Sequence, residues 1–201
     1  MPISLPDLSH AALLSMDFHN SIVSVYAQQD REDEFLSRVA GVQAAARQRA
    51  MPVLHVQVGF RPGLPEVSDR NVLFAALKSS PQWQQMFLGQ GGALHPAVAP
   101  KGDEIVITKH RVSAFAGTDL EMILRAGQID TLVLMGIATS GVVLSTLLDA
   151  ADADYRVAVV RDCCADRDPE LDACLKDKFF PMRAAVVDAA EIEEAMGRRS
   201  A

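Results

Sequence analysis

Short apolar runs recur along this chain, and most of them lack the polar alternation of a half-exposed strand. Runs of this type are typical of strands buried on both faces of a parallel sheet. The pattern predicts six strands, at Ala11–Met16, Val53–Val58, Glu104–Thr108, Thr131–Gly136, Tyr155–Val160 and Ala184–Val187.

Between these runs, apolar residues recur three and four positions apart, which predicts helices. The predicted helices cover residues 31–49, the stretch DLEMILRAG after Thr118, the stretch VVLSTLLDAAD, residues 169–180 and residues 189–196. Strands that alternate with helices indicate a doubly wound, mainly parallel α/β sheet with helices on both faces. The length of 201 residues fits one domain over residues 1–201.

Two segments fit neither pattern. Residues 18–26 are predicted as a loop with at most a short helical turn. Residues 59–102 are the least regular part of the chain, and they contain five prolines and the only tryptophan, Trp83. Long irregular segments inside compact domains tend to be lids or binding loops. We therefore expect this segment to cover the edge of the sheet where the strands end.

Polar groups follow three of the predicted strands. Asp17 follows the first strand, Lys109 the third, and the turn Thr139–Val142 the fourth. Because parallel strands end at one edge of a sheet, these groups are expected to converge there. A neighbouring lysine would favour the ionised form of Asp17, whereas burial would oppose it. Two alternatives stay open: Asp17 as a helix cap or loop ion-pair partner, and the turn as an ordinary connection without chemistry.

The turn after the fourth strand has the pattern of a ligand site. The apolar run stops at Gly136, and Thr139 or Ser140 is placed to cap the helix that follows. A strand that turns tightly into a helix gathers backbone N–H groups and the positive end of the helix dipole at one point. Such a turn is suited to bind an oxygen atom of a substrate.

The charge, the cysteine spacing and the hydrophobic runs of the sequence limit the kinds of molecule that this protein is expected to bind. A net charge of −7 without basic clusters argues against nucleic acid. The three cysteines, Cys163, Cys164 and Cys174, have neither disulfide-framework nor zinc-site spacing, which favours reduced thiols. No signal-peptide pattern or membrane-length run is present, so we expect a soluble cytoplasmic protein without a membrane partner. Nucleotide-binding motifs of the G-x-G-x-x-G and Walker types are absent from the sequence.

Four features together resemble the isochorismatase-like hydrolase superfamily, which includes nicotinamidases and N-carbamoyl-amide hydrolases. They are ALLSMDFHN, VITKHRVSAFAGTDLEMILRAGQIDTLVLMGIATSG, VVLSTLLDAADADYRVAVVRD, and the order and spacing of these segments over residues 11–190. The resemblance implies an α/β sheet of about six strands and an Asp-Lys-Cys catalytic triad. It also implies a cis peptide bond between Ile137 and Ala138, and a homodimer or higher homo-oligomer.

The sequence departs from that family at three places. The family's nucleophilic cysteine lies six residues after the glycine of the G-x-x-T motif, and Val142 stands there. His19 stands where the family usually has glutamine. GFRPG follows the second strand where nicotinamidases have an Asp-x-His metal motif, so we expect no metal and no cofactor. Cys163 and Cys164 follow the next strand, but neither lies at the helix start.

Without a cysteine at residue 142, covalent catalysis by a thiolate is excluded, and acid catalysis is the mechanism that remains. Isochorismatases protonate a vinyl ether, which requires a carboxylic acid with a raised pKa. We predict that Asp17 is that acid and that Lys109 either holds a substrate carboxylate or tunes Asp17. The predicted substrate- and oxyanion-binding residues are Ala138, Thr139, Val142, Phe115 and His19. The alternative hypothesis is a catalytically silent binding or assembly protein with the same fold.

Overall fold

A parallel sheet forms the centre of the computed structural model, which describes residues 3–26, 31–87 and 92–197. Its strands are β1 (Ala11–Met16), β2 (Val53–Val58), β3 (Val106–Lys109), β4 (Thr131–Ile137), β5 (Arg156–Ala165) and β6 (Ala185–Val187). They are ordered β3-β2-β1-β4-β5-β6, and every neighbouring pair is parallel. The predicted doubly wound fold is confirmed.

The central strands are buried on both faces. Every residue of β1 and of β4 is buried. Since successive side chains in a strand point to opposite faces, both faces of the sheet are covered. At the carboxyl end of this pair, a Cβ atom on Gly136 would lie 2.6 Å from the carbonyl oxygen of Met16. Glycine at this position therefore lets the ends of β1 and β4 approach closely.

Helices connect the strands. In chain order they are α1 (Asn20–Tyr26), α2 (Glu32–Gln48), α3 (Val72–Ser79), α4 (Pro81–Phe87), α5 (Leu120–Ala126), α6 (Leu144–Asp152), α7 (Pro169–Cys174) and α8 (Ala189–Gly197). A π-helical turn, Thr139–Val143, leads into α6, and another, Leu175–Phe179, continues α7. In the described part of the chain, no helix is both long and apolar enough to cross a membrane.

Four strands differ from their predicted bounds, the fourth and sixth by a single residue and the third and fifth by more. The fifth strand continues through Arg161 and Asp162 to Ala165, and its pairing with β4 shifts register between Leu134 and Gly136. The third strand begins at Val106 rather than at Glu104. The Glu104 carboxylate instead accepts hydrogen bonds from Arg47 and lies within hydrogen-bonding distance of His55 Nε2, which holds it outside the strand.

The two segments predicted to be irregular contain helices: the first is longer than the short helical turn that was allowed there, and the second is more regular than predicted. Residues 20–26 form α1, and the 59–102 segment contains α3 and α4. Asn71 caps α3 through its side chain, which accepts a hydrogen bond from the Phe74 N–H. Pro81 is the first residue of α4, a position that tolerates proline because its N–H would be unsatisfied anyway.

Candidate active site

Four neighbouring strands end around one small cavity. Asp17 follows β1, while Val58, Lys109 and Ile137 are the last residues of β2, β3 and β4. All four residues line a cavity of about 170 Å³, and Ala138, Gly141 and Val142 line it from the following turn. The fold therefore brings together Asp17, Lys109 and the turn, which the sequence placed at one edge of the sheet.

Asp17 and Lys109 form a buried ion pair at the base of this cavity. The Lys109 ammonium lies 2.8 Å from Oδ2 of Asp17 and also donates a hydrogen bond to the Arg111 carbonyl oxygen at 3.1 Å. The Asp17 side chain is only 11% exposed. Oδ1 of Asp17 is buried and has no hydrogen-bond partner among the described residues. One oxygen of the carboxylate thus holds the pair, and the other is buried 3.7 Å from His19 Nε2.

The backbone at Asp17 is left-handed, with φ of 57°. Aspartate tolerates this conformation better than most residues do. The Asp17 N–H still extends the strand pairing, because it donates to the Val56 carbonyl oxygen at 2.8 Å. The chain therefore leaves the sheet immediately after Asp17 has been fixed against β2. Asp17 is an ion-pair partner, as one of the alternatives for this residue allowed, but the pair faces a cavity.

The ion pair keeps Asp17 ionised. Burial is the largest single influence and raises the pKa of Asp17, but the Lys109 ammonium and His19 together lower that pKa below its usual range. Acid catalysis by Asp17 was predicted to need a raised pKa, and the structure shows the opposite direction. Lys109 makes the larger contribution to this lowering because it is itself buried and lies in direct contact.

His19 lies behind the carboxylate rather than in the cavity lining. It is fully buried, and its Nδ1 donates to the Gly92 carbonyl oxygen at 2.7 Å. Its Nε2 accepts the Val58 N–H at 3.2 Å and lies 3.7 Å from Oδ1 of Asp17. The predicted substrate-binding role of His19 is therefore not supported. The ring instead connects the segment after β1 to the end of β2.

The turn after β4 presents Ala138 and Val142 to the cavity and points Thr139 away from it. The peptide bond between Ile137 and Ala138 is cis, as the resemblance implied. The Thr139 hydroxyl donates to Oδ1 of Asp172 at 2.5 Å instead of reaching the site. Thr139 therefore supports the turn and does not line the cavity.

The predicted helix cap at this turn was also wrong. Neither Thr139 nor Ser140 caps the helix through its side chain. The Ser140 N–H instead donates to Oδ2 of Asp166 at 2.7 Å. Asp166 follows β5, so a carboxylate that is distant in sequence satisfies the start of this helix.

Phe115 is also misplaced in the predicted site. Its ring packs against Tyr155, with centroids 5.9 Å apart, and Tyr155 directly precedes β5. The loop that carries Phe115 follows α6 toward that end of the sheet, because Ser113 donates to Asp149 and the Ala114 N–H donates to the Thr146 hydroxyl. Phe115 therefore lies near the amino ends of the strands, whereas Asp17 lies at their carboxyl ends.

Sequence reasoning missed the residues that form the apolar wall of the cavity. Leu73 and Phe74 of α3, Trp83 and Phe87 of α4, and Ile22 and Tyr26 of α1 all line it. The 59–102 segment thus covers the edge of the sheet, as predicted, but it does so through two helices. The cluster of aromatic residues at 74, 83 and 87 was the available signal.

The Isochorismatase domain profile matches residues 11–191. The chain belongs to the isochorismatase family. A solved relative, an isochorismatase family protein from Burkholderia thailandensis, is 29% identical and superposes with a TM-score of 0.82 over 97% of this chain and 100% of that one.

Two curated relatives of this isochorismatase-family chain are named as amidohydrolases. Maleamate amidohydrolase from Pseudomonas putida is 35% identical over 133 residues, which cover 66% of this chain and 60% of that protein. Ureidoacrylate amidohydrolase RutB from Methylobacterium radiotolerans is 32% identical over 98% of this chain and 83% of that protein. The family and these relatives support a hydrolase, and they leave the mechanism and substrate to the residues of the site.

The cysteines of this family member lie away from the cavity. Cys163 and Cys164 are buried and Cys174 is exposed, and none of them is among the described lining residues. Burial raises the pKa of Cys163, and it raises the pKa of Cys164 to about 12. Both buried thiols are therefore protonated at neutral pH, which removes support for a substitute nucleophile at this position. The described residues also include no group of three or more metal-ligating side chains.

Proposed function

We propose that this chain is a small-molecule hydrolase in which Asp17 performs acid/base catalysis without a covalent cysteine intermediate. The observation that carries the proposal is the state of the carboxylate: Asp17 is held ionised by Lys109, and both residues line the cavity. Val142 lines the same cavity at the position where the family resemblance places the thiol. A valine side chain supplies neither a nucleophile nor a base.

An ionised carboxylate that lines a cavity is suited to activate water. In the proposed reaction, the Asp17 carboxylate takes a proton from a water molecule as the water oxygen bonds to a carbonyl carbon of the substrate. The carbonyl oxygen becomes an oxyanion. When the tetrahedral intermediate collapses, the bond from carbon to the leaving nitrogen or oxygen breaks, and the proton on Asp17 moves to that leaving atom. The carboxylate is regenerated.

Lys109 and the turn supply the stabilising groups. An ammonium has three N–H donors, and among the described residues two acceptors occupy the Lys109 ammonium, Asp17 and the Arg111 carbonyl. The third N–H is available to the oxyanion. We propose that backbone N–H groups near Ala138 and Val142 complete the oxyanion site, because both residues line the cavity.

A second candidate is acid-catalysed vinyl ether cleavage, which the absence of a cysteine from the described cavity lining favours. Here Asp17 donates its proton to the enol-ether carbon, water adds to the oxocarbenium ion and gives a proton back to Asp17, and the hemiketal collapses to a carbonyl compound and an alcohol. This route requires protonated Asp17, which the lowered pKa opposes. A third candidate is a catalytically silent binding or assembly protein, for which the assay described next should find no turnover.

The pH dependence of turnover separates these candidates. The purified chain is assayed with maleamate, ureidoacrylate, neutral amides and carboxylated vinyl ethers, from about pH 4 to pH 9. Base catalysis by Asp17 predicts a plateau of kcat/KM at neutral and higher pH and a fall in acid. Acid catalysis predicts the reverse. Absence of turnover throughout would overturn the hydrolase and support the silent protein.

Intact-protein mass spectrometry tests the noncovalent part of the proposal. Acid quenching during turnover traps an acyl-enzyme if one accumulates. We expect only the unmodified mass. An adduct of the acyl group on any residue would overturn the direct attack of water, and its peptide would identify the nucleophile.

A further inference from the structure

The cavity contains one ion pair and is otherwise uncharged. Asp17 and Lys109 are the only charged side chains among its described lining residues. The remaining lining residues are uncharged, and they are Ile22, Tyr26, Val58, Leu73, Phe74, Trp83, Phe87, Val112, Ile137, Ala138, Gly141 and Val142. Tyr26 alone among these adds a side-chain hydroxyl. The site thus offers polar groups at its base and apolar surface on its walls.

The only cation of this lining is already neutralised. Lys109 is 2.8 Å from the Asp17 carboxylate, and the pair carries no net charge. A substrate anion would have to compete with Asp17 for this ammonium and would approach the negatively charged Asp17 carboxylate. Burying a charge without a partner costs several kcal/mol. The chemistry at the base of the cavity therefore disfavours a carboxylate on the substrate.

Two arginines lie near the cavity without being among its described lining residues: Arg111, and Arg167, whose guanidinium is 5.9 Å from the centre of the Tyr26 ring. Arg111 lies two residues after Lys109, but its guanidinium donates to the carbonyl oxygens of Glu66 and His110 and does not line the cavity. Residues 27–30 and 88–91, which lie outside the described residues, contain no lysine, arginine or histidine in the sequence. No cation from these two segments is available to receive an anion.

The apolar wall continues to the protein surface along α3 and α4. Leu73 and Trp83 line the cavity and are 48% and 40% exposed. Partly exposed apolar side chains that also line a cavity mark its mouth and present an apolar path to an entering ligand.

From these observations we infer that, as a hydrolase of the function proposed above, this chain takes a small uncharged substrate with an apolar body, such as a neutral carboxamide or ester. The scissile carbonyl lies at Asp17 and Lys109, and the apolar body lies against α3 and α4. The cavity of about 170 Å³ is smaller than the sites of drug-sized ligands, which span roughly 300–1,000 Å³. This substrate class differs from maleamate and ureidoacrylate, which carry a carboxylate.

A matched pair of ligands tests the inference. (Z)-But-2-enamide and maleamate have the same skeleton, and a methyl group in the first replaces the carboxylate of the second. Kd for each is measured by calorimetry at pH 7, and kcat/KM is measured separately. We expect the neutral amide to bind about tenfold or more tightly than maleamate, since the anion finds no unpaired cation in the described lining. Equal or tighter binding of maleamate would overturn the inference, and so would failure of both ligands to bind.

Two arginine variants on α3 test whether the selectivity for the neutral amide arises in this cavity. Leu73→Arg places a cation at the mouth of the cavity, and Val72→Arg places one on the neighbouring residue, which is 85% exposed and outside the lining. We expect Leu73→Arg to reduce the preference for the neutral amide about tenfold and Val72→Arg to leave it unchanged. Equal effects of the two variants would show that binding occurs elsewhere and would overturn the inference.

The measurements of Kd and of kcat/KM test the substrate class and the proposed catalysis separately. Neutral-selective binding without turnover of either ligand would refute the proposed catalysis and leave the substrate class supported. Turnover with a preference for maleamate would support the catalysis and refute the substrate class.

Discussion

The Lys109 ammonium contacts Oδ2 of Asp17 at 2.8 Å, whereas Oδ1 of the same carboxylate has no partner among the described residues. A buried ion pair that served stability alone would gain from hydrogen bonds to both oxygens, because unsatisfied buried polar atoms are costly. The unpaired oxygen is buried and lies 3.7 Å from His19 Nε2. This cost falls on a residue that lines the cavity, which favours a functional role for the pair over a purely structural one.

Asp17→Asn is expected to reduce both activity and stability. Removal of the base should lower kcat/KM by about 10²–10⁴-fold. It also leaves the Lys109 ammonium buried without its partner, which should cost about 3–5 kcal/mol in the free energy of unfolding. Steady-state kinetics and urea denaturation measure the two effects on the same preparation.

The double variant Asp17→Asn/Lys109→Met separates these effects. Methionine removes the buried charge and keeps an apolar chain of similar length. We expect the double variant to recover most of the lost stability and none of the lost activity. If the single variant retained full turnover, Asp17 would have no part in the chemistry.

Thr139→Val should impair catalysis because the Thr139 hydroxyl holds the turn after β4 in position. The Thr139 hydroxyl donates to Asp172 at 2.5 Å, and Asp172 also accepts a hydrogen bond from the buried Lys176 ammonium at 2.6 Å. Loss of a hydrogen bond to a charged acceptor costs about 1.5–3 kcal/mol. Because the turn carries Ala138 and Val142 into the cavity, we expect kcat to fall more than KM rises.

Thr146→Val is the matched control for that change. Thr146 is also fully buried, and its hydroxyl accepts the Ala114 N–H at 3.0 Å away from the cavity. This variant should lose comparable stability with kcat unchanged. Equal losses of kcat in both variants would indicate a general effect of destabilisation rather than a role for Thr139 in positioning the turn.

The sheet and the ends of its strands could be predicted because burial on both faces leaves a direct mark on the sequence. Ala11–Met16 has almost no polar residue and is buried throughout, so its end at Asp17 was visible. The same holds for the fourth strand. Since parallel strands end at one edge, the meeting of Asp17 with Lys109 followed from the topology.

The rest of the site depends on contacts between distant parts of the chain. Asp166 caps the helix start at Ser140, which no local pattern near Ser140 reveals. The helices α3 and α4 are short, and the prolines and glycines around them hid their apolar faces. The direction of the Asp17 pKa shift depends on a balance between burial and Lys109, and the residue types alone leave that balance open.

Glu104 provides a prediction about acid stability. Hydrogen bonds from Arg47 are the main cause that lowers the pKa of Glu104 from 4.5 to about 2. The folded state therefore gains stability from ionised Glu104 above about pH 4.5, and this gain is lost as pH falls toward 2. The interval corresponds to about 3 kcal/mol. We expect the loss of stability in Glu104→Gln to be largest at neutral pH and to shrink in acid, as measured by urea denaturation.

Glu121→Gln is the control for this titration. Glu121 forms an exposed ion pair with Arg125 four residues along α5. Exposed ion pairs of this kind contribute little to stability, so this variant should change the free energy of unfolding little at any pH. A loss in Glu104→Gln that is the same at pH 3 and pH 7 would contradict the lowered pKa, because only ionised Glu104 accepts the full set of charged hydrogen bonds.

Val142→Cys tests whether the cavity can still activate a thiol. Val142 is buried, lines the cavity with Asp17 and Lys109, and lies in the turn that leads into α6. A thiol there would lie near the Lys109 ammonium and the start of a helix, both of which lower the pKa of cysteine. We expect iodoacetamide to alkylate this residue near neutral pH about tenfold faster than Cys163 or Cys164, and faster than the exposed Cys174. Peptide mass spectrometry measures each rate.

Two further variants show where such reactivity comes from. Val143→Cys places the thiol one residue along, at a fully buried position outside the described cavity lining, and it should label as slowly as Cys163. Lys109→Met in the Val142→Cys background removes the ammonium, and labelling should slow because the thiolate loses its nearby positive charge. If residue 142 labelled no faster than residue 143 in folded variants, the side chain at 142 would not face Asp17 and Lys109. The catalytic site would then have to lie elsewhere on this edge of the sheet, since the proposed mechanism requires substrate to meet all three residues at once.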